Sequence, residues 1–223
     1  MSLKRANPSQ SARRPGPAAF PRVGWLLLGF VSFVLAAAAA EQKTIIFFGD
    51  SITAGYGLDP DEAYPALIQR KLDATGRPWR VVNAGLSGET TAGGLRRLDW
   101  ILRQPVDIFV IELGGNDGLR GISTESSRAN LQAMIERIRT KYPRTLIVLA
   151  GMQMPTNLGP DYTRQFAAIY PELAQRYHTV LIPFLLDGVG GVPSLNQADG
   201  IHPTAAGHQL VAETVWLALQ TLL

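Results

Sequence analysis

Five short apolar runs recur along the chain, and each is rich in β-branched or aromatic residues. Runs of this length and composition predict buried strands. Segments of helical length separate them, and in the third of these Leu131, Ile135 and Ile138 recur at helical spacing. The predicted strands are Thr44–Phe48, Arg80–Asn83, Asp107–Leu113, Leu146–Ala150 and Val180–Phe184, and the predicted helices cover about Asp61–Ala74, Thr90–Leu102, Thr124–Lys141, Asp161–Arg176 and Thr204–Leu222.

The alternation of strands and helices predicts an α/β fold with a parallel, doubly wound sheet. Strands that are covered on both faces are near-continuous apolar runs, as these are. Right-handed crossovers place the carboxyl ends of all five strands at one edge of the sheet. Open α/β sheets bind their ligands at that edge, so we expect the functional residues in the segments that follow the strands.

The first 40 residues differ from the rest in charge and hydropathy. All their charge comes from five basic residues, and an uncharged apolar run from Val23 to Ala40 ends in five alanines. A basic start, an apolar run and a small-residue site predict a signal peptide that is cleaved near Ala40 during export to the periplasm or beyond. A membrane anchor over residues 23–40 is the alternative, because 18 apolar residues approach the length of a membrane helix. Residues 41–223 then form one folded domain.

Composition narrows the range of partners and chemistries. The chain has 21 Lys and Arg against 18 Asp and Glu, but without the five basic residues of the predicted leader the balance is 16 against 18. The positive charge therefore gives no reason to expect a nucleic-acid partner. The chain has no cysteine. This excludes a thiol nucleophile, a disulfide framework and a thiolate-bound metal.

Ser51 follows the first predicted strand in the sequence Phe48-Gly49-Asp50-Ser51. At the carboxyl edge of the sheet, its hydroxyl and its own backbone N–H can point into the same crevice. A serine in this position can act as a nucleophile if a base lies within reach. The alternative is that Ser51 only caps the turn that follows, as serines often do.

Only three histidines are available as a base. His178 lies at a helix-to-strand junction, which is the opposite edge of the sheet, and His208 lies inside the last predicted helix, where a surface or packing role is expected. His202 lies in the loop before that helix, three residues after Asp199. This spacing lets the carboxylate accept from Nδ1–H, so that Nε2 is free to take a proton. Alternatively, Asp199 caps the last helix, with Pro203 at its first position.

An acyl-transfer site also needs donors for the oxyanion. The candidates are Ser51 N–H, Gly85 N–H and the side-chain amide of Asn116, which follow the first, second and third predicted strands. Each of these segments alone has an ordinary turn composition. Their joint placement, together with the acid and histidine before the last helix, predicts a serine hydrolase. We interpret Asp50 and Asp117 as residues that order these loops.

Apolar residues after the fourth and fifth strands are candidates for the wall of an acyl-chain pocket. They are Met152, Met154, Pro155, Leu158 and the stretch Leu185–Val192. The flexible thioether side chain of methionine suits a pocket that accepts several chain lengths. Ordinary core packing is the alternative for each of them.

Three other classes of protein fit the sequence poorly. A standard α/β-hydrolase needs Gly-x-Ser-x-Gly, and the stretch 85–89 ends in Glu89 instead of glycine. The stretch 55–60 lacks the third glycine of a dinucleotide-binding loop, and the chain has no P-loop lysine. A metal-dependent hydrolase needs clustered ligands, and one plausible histidine near carboxylates is too few. We therefore expect neither a metal nor a cofactor.

Taken together, Gly49-Asp50-Ser51, Gly85, Gly115-Asn116-Asp117 and Asp199-x-x-His202-Pro203 resemble the four blocks of the SGNH (GDSL-type) hydrolases. The Ser, Gly, Asn and His of that family map onto Ser51, Gly85, Asn116 and His202. Residues 43–220 further resemble the bacterial branch that contains arylesterases, acyl-CoA thioesterase I and lysophospholipase L1.

This resemblance implies a flavodoxin-like three-layer α/β/α sandwich, with a five-stranded parallel sheet in the order 2-1-3-4-5. It implies a metal-independent serine esterase that cleaves short- to medium-chain acyl esters and thioesters through an acyl-enzyme. Its partners are then small acyl substrates or lysophospholipids, with possible membrane proximity only through the N-terminal segment. An O-deacetylase of carbohydrates in the same family and a non-catalytic acyl-binding module are the alternatives.

Overall fold

Five parallel strands form one sheet in the order β2-β1-β3-β4-β5. The structure, a computed structural model, describes residues 42–223. The predicted signal peptide or anchor over residues 1–40 lies outside the described residues, so both alternatives stay predictions. The strands are β1 (Lys43–Gly49), β2 (Trp79–Asn83), β3 (Ile108–Glu112), β4 (Leu146–Ala150) and β5 (Val180–Ile182).

Helices cover both faces of this sheet. Helix α2 packs against α7, whereas α3 packs against α5 and α5 against α6, and this pairing is the arrangement of a doubly wound sandwich. The predicted three-layer fold and strand order are confirmed. The helices are α1 (Ser51–Ala54), α2 (Tyr64–Ala74), α3 (Thr91–Ile101), α4 (Gly115–Leu119), α5 (Thr124–Lys141), α6 (Pro160–Tyr177) and α7 (Ala205–Leu219), with short 3₁₀ turns at Thr156–Leu158 and Pro193–Leu195.

The two central strands end side by side. All five residues of β3 are buried, and β1 is buried at every position after Lys43. In the parallel register between these strands, Gly49 lies opposite Glu112. The segments that begin at Asp50 and at Leu113 therefore leave the sheet at the same level, which brings α1 and α4 together.

The structure differs from the predicted elements mainly at their ends. The first long helix begins at Tyr64 instead of Asp61, with Pro65 in its first turn, a position that proline favours. Strand β5 ends at Ile182, and the proline that follows has no N–H to donate to a neighbouring strand. Helices α1 and α4 were not predicted, because one or two turns give too short a pattern to read.

Within residues 42–223, no helix combines the length and the apolar character needed to cross a bilayer.

Candidate active site

Ser51 is the first residue of α1, and only Asp50 separates it from the end of β1. The Asp50 side chain caps this helix by accepting from Ile52 N–H at 3.0 Å, and Gly55 ends it in a left-handed conformation at φ 76°. Ser51 N–H lies in the first turn, where a helix offers no acceptor. None of residues 42–223 accepts a hydrogen bond from it. The sharp turn thus holds both the hydroxyl and the free amide of Ser51 at the carboxyl edge of the sheet.

The structure brings together the three residues predicted as a triad. His202 Nε2 lies 2.8 Å from Ser51 Oγ, and His202 Nδ1 lies 2.6 Å from Asp199 Oδ2. The second oxygen of Asp199 accepts from the backbone N–H groups of Ile201 and His202, at 2.9 and 3.0 Å. These contacts fix the imidazole with Nδ1 toward the acid, so that Nε2 can accept the serine proton.

Asp199 does not cap the last helix. Thr204 is the N-cap residue of α7, and its hydroxyl accepts from Gly207 N–H. Pro203 precedes this cap, so the alternative in which Asp199 caps the helix and Pro203 opens it does not hold. Pro203 instead forms an isolated antiparallel bridge with Asn196. This bridge closes the loop that carries the acid and the histidine.

The charge on Asp199 is stabilised by its hydrogen bonds. The side chain of His202 contributes most, followed by the backbone N–H groups of His202 and Ile201, and together they lower the pKa of Asp199 to about 2. Asp199 is therefore ionised throughout the neutral range. An ionised partner keeps the proton of His202 on Nδ1 and stabilises the imidazolium when Nε2 becomes protonated.

Tyr56 packs against the ring of His202, with the ring centroids 4.6 Å apart. Its backbone carbonyl accepts from the side chain of Gln197 at 2.7 Å, which links the loop after α1 to the loop of His202. Sequence reasoning missed this residue. Tyr56 follows a glycine in a turn, and no local signal indicated that this turn reaches the C-terminal loop.

The side-chain amide of Asn116 lies in the site as predicted. Asn116 is in the first turn of α4, and its Nδ2 donates to Asp50 Oδ2 at 3.1 Å. Asn116 donates no other side-chain hydrogen bond to residues 42–223, which leaves one amide hydrogen for a ligand. A side-chain amide with one hydrogen anchored and one free is a preorganised donor.

Gly85 is not a free donor in this structure. Its N–H donates to the side-chain oxygen of Asn83 at 3.0 Å, and its Cα packs so closely on α1 that an added β-carbon would lie 2.2 Å from Ala54 N. The prediction that Gly85 N–H faces an oxyanion therefore needs correction. Gly88 lies in the same loop at φ 78°, and its N–H has no acceptor among residues 42–223. The sequence gives no sign of which of these amides is occupied.

Asp117 orders the neighbouring loops, as predicted. It is fully buried and accepts from the backbone N–H of Thr91 at 2.8 Å, from the hydroxyl of Thr91 and, at 3.1 Å, from the hydroxyl of Ser127. These bonds tie α4 to the starts of α3 and α5. Asp50 lies closer to the chemistry, since it contacts both Asn116 and the turn of Ser51.

The other two histidines lie away from the reacting atoms. His178 ends α6 in a left-handed conformation at φ 45°. His208 is almost fully buried, and its Nδ1 accepts from Tyr64 N–H at 3.1 Å. Burial, and next the charge of His202, lowers the pKa of His208 to about 4. His208 is thus a neutral packing residue, and only His202 lies within reach of Ser51.

A cavity of about 530 Å³ opens at Ser51, Asn116 and His202. The predicted residues Met152, Met154 and Pro155 line it, but Leu158 does not. Leu158 lies in a short 3₁₀ turn, and its side chain is partly exposed to solvent. Its assignment to the pocket is therefore wrong.

The stretch Leu185–Val192 contributes to the cavity only in part. Leu186, Gly190 and Gly191 line it, whereas Leu185 and Val189 are buried in the core. Further apolar residues that sequence reasoning missed complete the wall, namely Ile52, Leu119, Phe184 and Ile201. Ile52 directly follows Ser51 and Ile201 directly precedes His202, so both read as parts of polar loops. The cavity is apolar where it leaves the triad, which suits an acyl chain.

Within the part of the chain that the structure describes, no three His, Asp or Glu side chains approach closely enough to hold a metal ion. The chemistry that this site offers is that of a serine nucleophile with a histidine base.

Comparison with known proteins identifies the family. Residues 47–210 match the GDSL-like Lipase/Acylhydrolase family. The chain belongs to this family. It is 43% identical over 199 residues to esterase TesA of Pseudomonas aeruginosa, covering 89% of this chain and 98% of TesA. It is 35% identical over 197 residues to thioesterase 1/protease 1/lysophospholipase L1 of Escherichia coli K12, covering 88% and 91% of the two chains.

The crystal structure of TesA has the same fold. It superposes with a TM-score of 0.78 at 44% sequence identity and covers 81% of this chain and 100% of the TesA chain. The resemblance to this family that the sequence indicated is thereby confirmed.

Proposed function

We propose that this member of the GDSL-like family is a serine esterase and thioesterase that cleaves acyl esters through an acyl-enzyme. The observation that carries the proposal is the continuous hydrogen-bond chain from Ser51 Oγ through His202 to Asp199, at the mouth of an apolar cavity. The similarity to an esterase and a thioesterase supports the same reaction class.

In the first step, His202 Nε2 takes the proton of Ser51 as Oγ attacks the acyl carbon. The carbonyl π electrons move to oxygen, and the resulting oxyanion accepts from Ser51 N–H and from the free hydrogen of the Asn116 amide. When the tetrahedral intermediate collapses, the bond to the leaving alcohol or thiol breaks and His202 returns its proton to that group. The acyl chain is then bonded to Ser51 Oγ.

In the second step, His202 activates a water molecule that attacks the acyl-enzyme. The same oxyanion donors act again, and Ser51 regains its proton as the carboxylic acid leaves. A third donor comes from the loop after β2. We assign it to Gly88 N–H, because Gly85 N–H is already engaged by Asn83.

The test compares protein from Glu41 onward with its Ser51→Ala variant. Both are assayed on p-nitrophenyl esters of graded acyl length and on the matching acyl-CoA thioesters, in the presence of EDTA. Turnover that survives EDTA and is lost in the variant supports the proposal. Equal turnover by both proteins refutes it. Release of acetyl groups alone favours a carbohydrate O-deacetylase, and tight acyl binding without turnover favours a binding module.

We also propose that the protein is exported by its N-terminal segment and acts in the periplasm or outside the cell. The support is the sequence pattern of residues 1–40, with basic residues, an apolar run and a terminal alanine stretch. Fractionation of cells followed by N-terminal sequencing tests this. A mature end near Glu41 in a soluble fraction supports cleavage, whereas full-length protein in the membrane fraction supports an anchor.

A further inference from the structure

Glu112 is a completely buried carboxyl at the end of β3, beside the turn that carries the nucleophile. It lies opposite Gly49 in the strand register. A β-carbon on Gly49 would lie 2.4 Å from Glu112 Oε2, so glycine at that position makes room for the carboxyl. The mechanism above assigns no task to this acid.

One oxygen of Glu112 holds the first turn of α1. Oε2 accepts from Asp50 N–H at 3.2 Å and from the Thr53 hydroxyl at 2.7 Å. The hydroxyl of Tyr64 lies 2.7 Å from the same Thr53 oxygen and donates to it, because the only hydrogen of Thr53 is directed to Glu112. Glu112 thus contacts the residue before the nucleophile and the residue two positions after it.

The other oxygen, Oε1, is buried and has no hydrogen-bond partner among residues 42–223. A carboxylate with one bare oxygen in a fully buried position is very costly, whereas the neutral acid tolerates it. Burial, and next the nearby charge of Asp50, raises the pKa of Glu112 well above its ordinary value. Burial and the bare oxygen therefore both favour the neutral form of Glu112.

Asp50 is the titratable neighbour of this acid. Its backbone N–H donates to Glu112 Oε2, and its own carboxyl oxygens accept from Ile52 N–H and from the Asn116 amide. Burial raises the pKa of Asp50 to about 6, and these hydrogen bonds keep it from rising further. Above that pH, the two buried carboxyls hold one proton and one negative charge between them.

We propose that Glu112 is a positioning residue for acyl transfer: a buried neutral acid that accepts from Asp50 N–H and from the Thr53 hydroxyl, and so fixes the nucleophile turn and the Asp50 side chain that holds the Asn116 amide. Glu112 touches neither the substrate nor the reacting atoms, and it acts through these neighbours. This inference rests on the proposed function, since it assigns a part in that reaction.

The first test compares Glu112→Gln with Glu112→Leu. Glutamine keeps a neutral side chain of the same shape, with an acceptor for Asp50 N–H and the Thr53 hydroxyl, so we expect it to retain most of the wild-type turnover. Leucine fills the space but has neither group. We expect it to lower kcat about 10²-fold with little change in KM, because a small displacement of catalytic groups has an effect of that size. Glu136→Gln, at an exposed position on α5, is the control and should change neither kcat nor KM.

The second test measures the acid limb of the kcat profile against pH. Leucine removes the acceptor for Asp50 N–H and makes the surroundings of the buried Asp50 carboxylate less polar, so Asp50 gains a proton more easily. Glu112→Leu therefore moves the limb to higher pH, and Glu112→Gln does not. In an Asp50→Asn background, Glu112→Leu causes no such shift. The other titratable groups that face the pair are His202, Tyr64 and Tyr170, and all are unchanged in these variants.

The third test is independent of turnover. Infrared difference spectra between wild type and Glu112→Gln at neutral pH should show the carbonyl band of a protonated carboxylic acid in the wild type. Absence of that band overturns the proposal. An equal loss of kcat in Glu112→Gln and Glu112→Leu, or full activity in Glu112→Leu, also overturns it. The same holds if Glu112→Leu loses activity only because less of it is folded, with the acid limb of its kcat profile at the wild-type pH. If Glu112→Leu does not fold, the kcat of Glu112→Gln and the infrared spectra still test the proposal. Failure of the proposed function would instead show as turnover that persists in Ser51→Ala.

Discussion

The side chain of Met154 lies directly over Gly118, so close that a β-carbon on the glycine would be 2.0 Å from the methionine sulfur. Gly118 is in α4, two residues after Asn116, and Met154 lines the cavity. The depth of the cavity therefore depends on the absence of a side chain at position 118. This relationship links the loop after β3 to the loop after β4 and sets the room available to an acyl chain.

We expect Gly118→Ala to push Met154 into the cavity and shift the preferred p-nitrophenyl ester to a shorter acyl chain. The added methyl group otherwise suits a helix, since alanine has the higher helix propensity by about 1 kcal/mol. Values of kcat/KM across the ester series check this. Met154→Ala should shift the preference to longer chains. The double variant should restore the wild-type profile or exceed it, and an unchanged profile in all three would contradict the role of Met154.

We expect Asp199→Asn to lose activity, but less than Ser51→Ala does. An amide in place of the carboxylate cannot accept from both Nδ1–H and the two backbone N–H groups, so the imidazole loses its fixed tautomer. The loss in kcat should be on the order of 10² to 10⁴. Asp187→Asn, an exposed acid in the preceding loop, is the matched control. Equal losses for the Asp199 and Ser51 variants would mean that the acid does more than orient the base.

We expect Gly88→Ala to lower kcat about 10²-fold, the usual effect of removing one oxyanion donor. Alanine at φ 78° is strained, and relief of that strain turns the amide away from the site. Gly76→Ala is the control, because Gly76 also has a positive φ and open space around it but lies far along the chain, between α2 and β2. Gly76→Ala should lower the free energy of unfolding through the same backbone strain, but it should leave kcat unchanged.

Asn83→Ala distinguishes the two loop amides from each other. If Gly88 is the donor, freeing Gly85 N–H leaves kcat no higher than in the wild type, and only stability falls, because Asn83 also donates to the Thr53 carbonyl at 2.8 Å. A rise in kcat, together with a neutral Gly88→Ala variant, would assign the oxyanion to Gly85 instead.

His208 makes folding stability depend on pH. A base whose pKa falls on folding binds its proton more weakly in the folded state, so the unfolded chain is favoured as pH falls from 6.5 towards 4. The full effect is about 3 kcal/mol. Asp50 acts in the opposite direction, since its raised pKa makes the folded state take up a proton as pH falls through about 6.

Urea unfolding of wild type and His208→Gln at pH 7 and pH 4.5 separates these two effects. Glutamine can still accept from Tyr64 N–H but does not titrate. The wild type should therefore lose more stability than the variant over this interval. The same loss in both proteins would show that His208 is not responsible.

The sequence was sufficient to predict the parallel sheet and the triad because both depend on strong local signals, whereas the strand order came from the resemblance to the family. Buried parallel strands leave long apolar runs, and only one of three histidines followed an acid at the right edge of the sheet. The prediction for Gly85 was wrong for a different reason. Whether a backbone N–H points into a crevice or toward a neighbouring side chain depends on φ and ψ in a short loop, and any glycine permits several such conformations.

Glu112 shows a second limit of sequence reasoning. It ends an apolar run, and a glutamate in that place resembles the exposed end of a strand. Its burial depends on Gly49 in a different strand, which leaves the space for the carboxyl. Leu158 is the converse case, since its neighbours Met154 and Pro155 line the cavity while a turn of 3₁₀ helix carries it out to solvent. Contacts between elements, which no local pattern encodes, decided both positions.

The hydrogen bond between Ser51 and His202 joins residues that are 151 positions apart. A ribosome completes β1 and its serine early, but the histidine emerges only with the last segment, and its loop is closed by the bridge between Asn196 and Pro203. A chain that is still being synthesised, or that has frayed at its C-terminal end, therefore holds a serine without a base. Such a chain cannot hydrolyse esters through an activated Ser51, and the reactive form exists only once the entire domain has folded.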